Sequence, residues 1–545
     1  MIKRIRLKKL GMISGPFLLL CFAIAFAGAS SDEMLSAVRL FDLVAYTVFD
    51  KYVDAIEPEK IARAGVNGLM EKLDPYSQYL AGGDYSYLLQ ETHGEYVGIG
   101  VQLENAGDTL RIAGVIDGSP AKISDLRIGD RLLLIDSIEA IGLSRSECLR
   151  LFRGKEGSRI TIRIWRPAEK AEMVKKPIRA RISQESIAYH EIDTAGIGYI
   201  KCVKFSEGCA AMMRRIINDM RSSGLKGLII DLRHNPGGLL YEAVETAALF
   251  LHKGDKIVET RGRSYNNSRS YEATQNGICD DLPLVIVIDG QTASAAEIVA
   301  GAIQDHDRGL IVGQESYGKG LVQQIFQISG EAAVKLTTAK YYTPSNRCIN
   351  RDSLGDGKEF HVSRGNSMVY LTKSGRNVFG GGGIIPDIYV DRNRDLPLID
   401  ELLSLGLMTD FVLHYTADKR IGDGLEVSDE IFEAFERYLY DKGFLYHSPV
   451  DREFGRFLKQ YQTLENDKKL AVHLNAVRET LQKRSRQEIT ASKPAVCAAL
   501  YERFIEECLG QQAAVRLVSL RFDPELLKAR ELLMRPPLYS SYLAN

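Results

Sequence analysis

Apolar residues recur at helical spacing from about Met34 to Tyr79, at Leu35, Val38, Leu40, Leu43, Val44 and Val48 and again at Ile61, Val66 and Leu69. This pattern predicts helices. Asp74-Pro75 ends the region, because the residue before a proline is driven out of helical geometry. From Gly94 to Pro167 the texture changes to short strands and glycine turns. Leu110 to Ile116 reads as a strand, Ile160 to Ile164 alternates strictly, and Gly118-Ser119-Pro120-Ala121 and Gly129-Asp130 read as turns. From about Ala195 to Tyr389 apolar strands alternate with helices. Leu228 to Leu232 and Leu284 to Ile288 are short and mostly apolar, as strands covered on both faces are. From Leu396 onward the chain turns helical and charged, with amphipathic stretches around Phe432–Tyr440, Phe457–Leu464, Ala498–Cys508 and Leu526–Leu533. That part carries no catalytic motif and is expected to be an accessory helical domain. The pattern as a whole predicts an α/β multidomain chain.

With 545 residues, three or four domains of about 150 residues are expected. The hydrophobic share of 45% and charged share of 26% are ordinary globular values. They exclude a wholly disordered, a collagen-like or a polytopic membrane chain. A net charge of -1 shows no basic excess, so no nucleic-acid partner is expected. The first residues change the address. Lys3, Arg4, Arg6, Lys8 and Lys9 precede an apolar run from Phe17 to Ala27 and the small residues Ala27-Gly28-Ala29. This is a secretory signal pattern with cleavage after Ala29. The run is short for the roughly 20 residues of a membrane span; an uncleaved anchor is the competing reading. The mature chain is expected to be soluble and exported, to the periplasm or cell envelope of a bacterium, with membrane contact only through an uncleaved N-terminal segment. Eight cysteines without a Cys-x-x-Cys disfavour structural zinc or a disulfide framework. No metal and no cofactor is expected.

The most informative stretch runs from Leu284 to Gln324. An apolar strand ends at Asp289-Gly290, and the Ala-rich segment from Thr292 to Ala302 reads as a helix. Ser294 then sits at a strand-to-helix turn, beside helix N–H groups able to hold a developing negative charge. A serine hydroxyl needs a base to act as nucleophile. Lys319, between Gly318 and Gly320 just after another apolar strand, supplies one if burial lowers its pKa from about 10.4. Taken alone, such a serine is usually an N-cap and such a lysine a loop residue. Gly313 to Lys319 also fits the Gly-x4-Gly-Lys spacing of a phosphate loop, but Gly320 stands where Ser or Thr is needed and a strand, not a helix, follows. His306, beside Asp305 and Asp307, and His234, beside Asn235, leave a Ser/His/Asp reading open.

Several stretches together resemble the C-terminal processing peptidases, or tail-specific proteases. Asp231-Leu232-Arg233-His234-Asn235-Pro236-Gly237-Gly238 is similar to the family's Asp-Leu-Arg-x-Asn-Pro-Gly-Gly. Ala293-Ser294-Ala295-Ala296-Glu297-Ile298 is similar to its Ala-Ser-Ala-Ser-Glu-Ile, with Ala296 in place of the second serine. Tyr317-Gly318-Lys319-Gly320-Leu321-Val322-Gln323 resembles its Phe-Gly-Lys-Gly-x-Val-Gln, and Tyr341 to Ser345 and Gly382 to Asp387 fit as well.

The resemblance implies a crotonase-like α/β serine protease core with an inserted β-rich PDZ domain, N-terminal helices and an extra C-terminal helical domain. It implies Ser294 as nucleophile, Lys319 as general base and Gln323 as the residue positioning the lysine, with Asp305 as a supporting candidate. The oxyanion hole it implies uses the Ala295 N–H and one from Gly237 or Gly238. Gly98-Ile99-Gly100 is the implied carboxylate-binding loop of the PDZ domain, so the expected partners are protein or peptide substrates held by their C-terminal tails. The domains expected are a signal peptide over 1–29, N-terminal helices over 30–91, PDZ over 92–182, protease core over 183–395 and helices over 396–545. The last are a candidate surface for an adaptor or a second copy. The expected function is an exported serine endopeptidase; a catalytically silent PDZ adaptor on the same scaffold is the alternative.

Overall fold

The computed structural model describes residues 31–82, 85, 88, 95–106, 109–116, 118–167, 169–183, 185–330, 332–351, 368–390, 397–416, 419, 422, 425–460 and 468–544. The expected signal segment and the expected cleavage after Ala29 lie outside the described residues. The chain divides into two units, one ending at Tyr79 and one beginning at Leu80. In the first, α1 (Ser31–Lys51) meets α2 (Pro58–Glu71). A Cβ at Gly65 of α2 would lie 2.9 Å from the Phe41 ring, so the small residue permits that contact. Pro58 opens α2, where its missing N–H costs no hydrogen bond.

The second unit begins with the β-rich domain. Its strands are β1 (Glu95–Gly98), β2 (Val101–Ala106), β3 (Thr109–Val115), β4 (Arg131–Ile135), β5 (Ile162–Arg166), β6 (Ala171–Lys175) and β7 (Ala180–Ser183); β5 and β6 alternate inward and outward residues. The main sheet is antiparallel in the order β2-β3-β4-β5-β6, and β1 pairs with β7. Ile99, Leu103, Ile112, Leu132, Ile162 and Ile164 fill its interior with Phe152 of α3 (Arg145–Phe152). Ser144 and Glu147 form a capping box at the start of α3. Among the described residues strand β2 pairs with β3 on one side only, and α3 packs beside it.

The core of this unit is a six-stranded sheet in the order β8 (Ile187–Ile192), β9 (Ile197–Cys202), β10 (Gly227–Asp231), β13 (Leu284–Ile288), β14 (Leu310–Gly313), β17 (Ile388–Tyr389). Only β8 is antiparallel to its neighbour. A second, antiparallel sheet contains β11 (Lys256–Gly262), β12 (Arg269–Glu272), β15 (Leu321–Ser329) and β16 (Ala332–Tyr342). Helices α4 (Cys209–Ser222), α5 (Leu240–Ala247) and α6 (Ala295–Asp305) bury one face of the parallel sheet.

The opposite face is covered from the far end of the chain. Helices α7 (Pro397–Ser404), α8 (Leu407–Thr416), α9 (Asp429–Asp441), α10 (Pro449–Gln460), α11 (Lys468–Ala491) and α12 (Lys493–Leu509) precede α13 (Pro524–Met534) and α14 (Pro536–Ala544). Leu526, Ala529, Leu532 and Leu533 of α13 and Tyr539 of α14 pack on Ile229, Val285, Val287, Leu310 and Val312. Each of those sheet residues contributes about 1.5–3 kcal/mol on full burial. The last two helices therefore cover the core, one of the roles the sequence leaves open for the C-terminal helical domain. The reason is that buried strands expose two apolar faces, and chain order does not say which helices take the second. Helices α7, α8, α9 and α12 form their own core around Phe411, Phe435 and Phe504. They hold the β-rich domain through Arg111 of β3, buried, whose Nη1 donates to Asp410 of α8 at 3.1 Å and to the Gly406 carbonyl at 2.9 Å.

Candidate active site

Strand β13 runs into Asp289, and the turn after it is tightly bonded. Thr292 Oγ1 accepts the Asp289 N–H at 2.9 Å and donates to the Leu232 carbonyl at 2.9 Å. Ser294 follows at φ +56°, ψ −116°, and α6 starts at Ala295. A non-glycine residue seldom occupies that conformation, so the surrounding bonds must hold it. The result is a half-buried serine at the mouth of a helix N-terminus.

Lys319 arrives from β14. The loop after that strand is bonded back by Gln314 N–H to Ile288 (3.1 Å) and by Tyr317 N–H to Thr292 (2.9 Å). Gly320 lies against Asn350, whose backbone N would be 2.7 Å from any Cβ there. The flanking glycines are thus explained by close approach. Strand β15 follows directly, so this segment lacks the helix a phosphate loop requires.

Glu297 joins the two segments. It is fully buried in the first turn of α6. Its Oε2 accepts the Ser294 N–H at 2.7 Å and the Lys319 N–H at 3.0 Å. Its Oε1 accepts the Gly318 N–H at 2.7 Å and the Ser316 hydroxyl at 2.5 Å. Burial pushes its carboxyl above the ordinary glutamate value, and the bonds from Ser316, Gly318, Ser294 and Lys319 oppose that rise. Tyr341, also buried, donates to the Ser294 carbonyl at 3.2 Å. Sequence reasoning gave neither residue a role. Glu297 carried a signal all the same, the Ser-x-x-Glu spacing of a helix start.

A cavity of about 380 Å³ opens over these residues, lined by Ser294, Ala295, Lys319, Gln323, Gly237 and Gly238 among others. Gln323 stands opposite Thr337 across the β15–β16 ribbon and donates to its hydroxyl at 3.3 Å. Gly237, at φ +100°, packs so closely that a Cβ would lie 2.7 Å from the Ala293 carbonyl and 2.9 Å from Ser294 Cβ. Its N–H is already given to Asn235 Oδ1 at 2.9 Å. The N–H of Gly238 carries no such bond among the described residues, and Ala295 N–H lies in the first turn of a helix, where backbone donors have no intrahelical acceptor.

Other expected residues lie elsewhere. Asp305 is at the far end of α6, ~15 Å along the helix from Ser294. It is fully buried against Arg347 (2.7 Å) and accepts the Ser345 N–H at 2.9 Å; it does not line the cavity. Nor do the histidines: His306 Nε2 bonds to the Lys256 carbonyl at 2.6 Å, and His234 pairs with Asp289 at 3.2 Å. In the β-rich domain, Gly100 (φ +81°) packs on Ser119, where a Cβ would be only 2.3 Å from Ser119 Cβ. Ile99 and Gly100 offer their N–H groups, unbonded among the described residues, at the start of edge strand β2.

The family description "Peptidase family S41" matches residues 196–362, "PDZ domain" residues 97–174, and "Probable PDZ-protease, C-terminal helical domain" residues 398–533. The carboxy-terminal-processing protease of Bartonella bacilliformis is 33% identical over 349 residues, covering 63% of this chain and 80% of that protein. The carboxyl-terminal-processing protease of Picosynechococcus sp. is 34% identical over 283 residues, covering 51% of this chain and 67% of that protein. Among solved structures, the photosystem II D1 C-terminal processing protease is 23% identical, with a TM-score of 0.40 over 69% of this chain and 98% of that one. One third of residues shared across four fifths of a processing protease, together with the PDZ, peptidase and helical segments in that order, means that this chain belongs to the carboxy-terminal-processing serine peptidases of family S41.

Proposed function

We infer that this peptidase is an exported endopeptidase that works by a Ser294–Lys319 dyad on proteins captured by their C-terminal tails. The observation carrying the dyad is the common anchoring of both residues: their backbone N–H groups end on one oxygen of Glu297, and their side chains line one cavity. In the reaction, Lys319 Nζ takes the Ser294 hydroxyl proton as Oγ attacks the scissile carbonyl carbon. The oxyanion is met by the N–H groups of Ala295 and Gly238. The C–N bond then breaks, the departing amine takes the proton from Lys319, and water hydrolyses the acyl-enzyme. Gln323 fixes the lysine's side of the cavity from β15. Asp305 serves the scaffold, by holding Arg347.

The tail's carboxylate docks on the Ile99 and Gly100 N–H groups and its backbone extends the sheet along the open edge of β2, beside α3. Export rests on the basic and apolar N-terminal residues with cleavage after Ala29. Among the described residues no helix is long and apolar enough to cross a membrane.

The test is cleavage of casein and of a tail-bearing peptide by wild type, Ser294→Ala and Lys319→Ala. Both variants should be inactive while still binding the tail. Full cleavage by either variant overturns the dyad, and an inactive wild type that binds tails would make the chain an adaptor.

A further inference from the structure

Helix α13 starts against the turn that carries Gly237 and Gly238. Asp523 caps it, with Oδ1 accepting the N–H groups of Glu525 (3.0 Å) and Leu526 (3.2 Å). The other oxygen, Oδ2, accepts Arg233 Nη1 at 2.7 Å, and Glu525 Oε2 accepts the same nitrogen at 2.5 Å. The rest of the guanidinium closes on Asp231, with Nε 2.9 Å from Oδ1 and Nη2 2.6 Å from Oδ2. Asp231 also takes the Arg233 N–H at 3.0 Å, and Lys201 Nζ donates to the Arg233 carbonyl at 2.9 Å. Arg233 is therefore held at its N–H, its carbonyl and its side chain, almost wholly out of solvent.

Arg233 opens the turn that ends at Gly238. His234, the next residue, is forced to φ +60° and gives its N–H to Asp289 at 3.0 Å. The Asn235 carbonyl accepts the Ala293 N–H at 2.9 Å, one residue before Ser294. The Arg233 side chain thus links α13 to the turn whose Asn235 carbonyl holds the residue before Ser294. Its charge balance needs α13. Asp231 alone faces two cations, Arg233 and Lys201 (3.1 Å). Without Asp523 and Glu525, Nη1 would be a buried charged donor with no acceptor.

We propose that Asp523 and Glu525 are positioning residues of the peptidase: through Arg233 they fix the 233–238 turn and so the Gly238 N–H that faces the reacting carbonyl. The C-terminal helices then form part of the active site's support. This rests on the Ser294 reading given above.

The decisive variant is full-length Asp523→Asn. Asparagine caps helices as well as aspartate, so the α13 cap survives and only the charge facing Arg233 is lost. Glu525→Gln is the second variant. The measurements are kcat and KM on a tail peptide, the inhibition constant of a peptide aldehyde (whose serine adduct bears an oxyanion), and the melting temperature, with rates normalised by active-site titration. Expected is a kcat about ten- to a hundredfold lower, short of the ~10²–10³ lost when an oxyanion donor is deleted outright. KM should stay within about twofold, and aldehyde affinity should fall by the same factor as kcat. The inference is overturned if kcat stays within about twofold of wild type in both variants, or if kcat falls while aldehyde affinity does not. Ser294→Ala is run in parallel. Retained cleavage there would remove the dyad, whereas an inactive Ser294→Ala beside fully active Asp523→Asn and Glu525→Gln removes only this inference.

Discussion

The backbone N–H groups of Ser294 and Lys319, 25 residues apart in sequence, both end on Oε2 of Glu297, at 2.7 and 3.0 Å. One buried carboxylate thus sets the distance between the strained turn carrying the hydroxyl and the loop carrying the amine. A helix-capping glutamate ordinarily serves its own helix; this one also serves a second strand's loop.

Glu297→Gln tests that role. The amide keeps the shape but replaces one acceptor oxygen with a donor. Facing either pair of donors, it leaves buried N–H or O–H groups unsatisfied, at about 1–3 kcal/mol each. A loss of about 2–4 kcal/mol in urea titration is expected, with kcat lowered by about a hundredfold or more, as for a displaced catalytic group. Wild-type kcat in a folded Glu297→Gln would mean that the shared anchor does not matter to catalysis.

The pH profile should rise. Burial lifts the Glu297 carboxyl above its ordinary value despite its hydrogen bonds. For an acid shifted this way, the contribution to stability is fully present below the ordinary glutamate range and is lost as pH rises through the raised value. Activity has the opposite sign, because only the ionised carboxylate accepts all four donors. In the proposed dyad Lys319 adds to the same trend, since the amine must shed its proton before it can take one from Ser294. We expect single-turnover acylation to climb from pH 5 to pH 9, by up to tenfold per unit at its steepest. A flat acylation profile would sink lysine as the base.

Gly237→Ala should stop catalysis by contact. Its Cβ would sit 2.8 Å from Ala295 N and 2.9 Å from Ser294 Cβ, in a backbone at φ +100°. Gly224→Ala is the matched control, at φ +89° with nothing within 4 Å. Both should lose about 1–2 kcal/mol from the unfavourable backbone. Only Gly237→Ala should also lose kcat, and equal kcat in the two variants would contradict the close packing of this turn on the serine.

How far these relationships could be read from sequence depends on their range. The Ser294 turn and the glycine-flanked Lys319 are local patterns, marked by strand ends and glycines, and both were legible. So were the parallel strands, because apolar runs such as Leu284–Ile288 need two covering layers. What covers the second layer was not legible: α13 lies more than 200 residues downstream of that strand, and amphipathicity names no partner. Arg233 was read as part of a motif, but its pairing with Asp523 and Glu525 has no local signature. The place of Asp305 was not legible for the converse reason, since an acidic residue one helix away from the candidate nucleophile looks the same in sequence whether it faces the cavity or the far end.

Asp305→Asn separates scaffold from chemistry. Asp305 and Arg347 form a fully buried pair at 2.7 Å. Removing one charge strands the other, at about 3–5 kcal/mol. The variant should therefore melt well below wild type. Its kcat per active site, titrated at a temperature where it is folded, should be within about threefold of wild type, because the residue lies ~15 Å from Ser294. A hundredfold loss of kcat without loss of stability would return Asp305 to the catalytic group.

The contact between the β-rich domain and the C-terminal helices should weaken in alkali. Glu507 of α12 has its Oε2 sealed from solvent with no hydrogen-bond partner among the described residues. Burial, reinforced by Glu506 and Glu104 and opposed by Arg503 and Arg111, raises its carboxyl to about 8. It is therefore protonated at neutral pH in the folded chain and ionised in the unfolded one. The stabilisation from this group is complete below the ordinary glutamate value of 4.5 and is lost as pH rises through about 8, at no more than ~1.4 kcal/mol per pH unit. Glu507→Gln removes the titration. Thermal melts at about pH 6, 7.5 and 9 should show the wild type losing stability relative to Glu507→Gln over that interval. Parallel curves for the two proteins would mean that Glu507 is already ionised in the fold, and that Arg111 and Arg503 outweigh its burial.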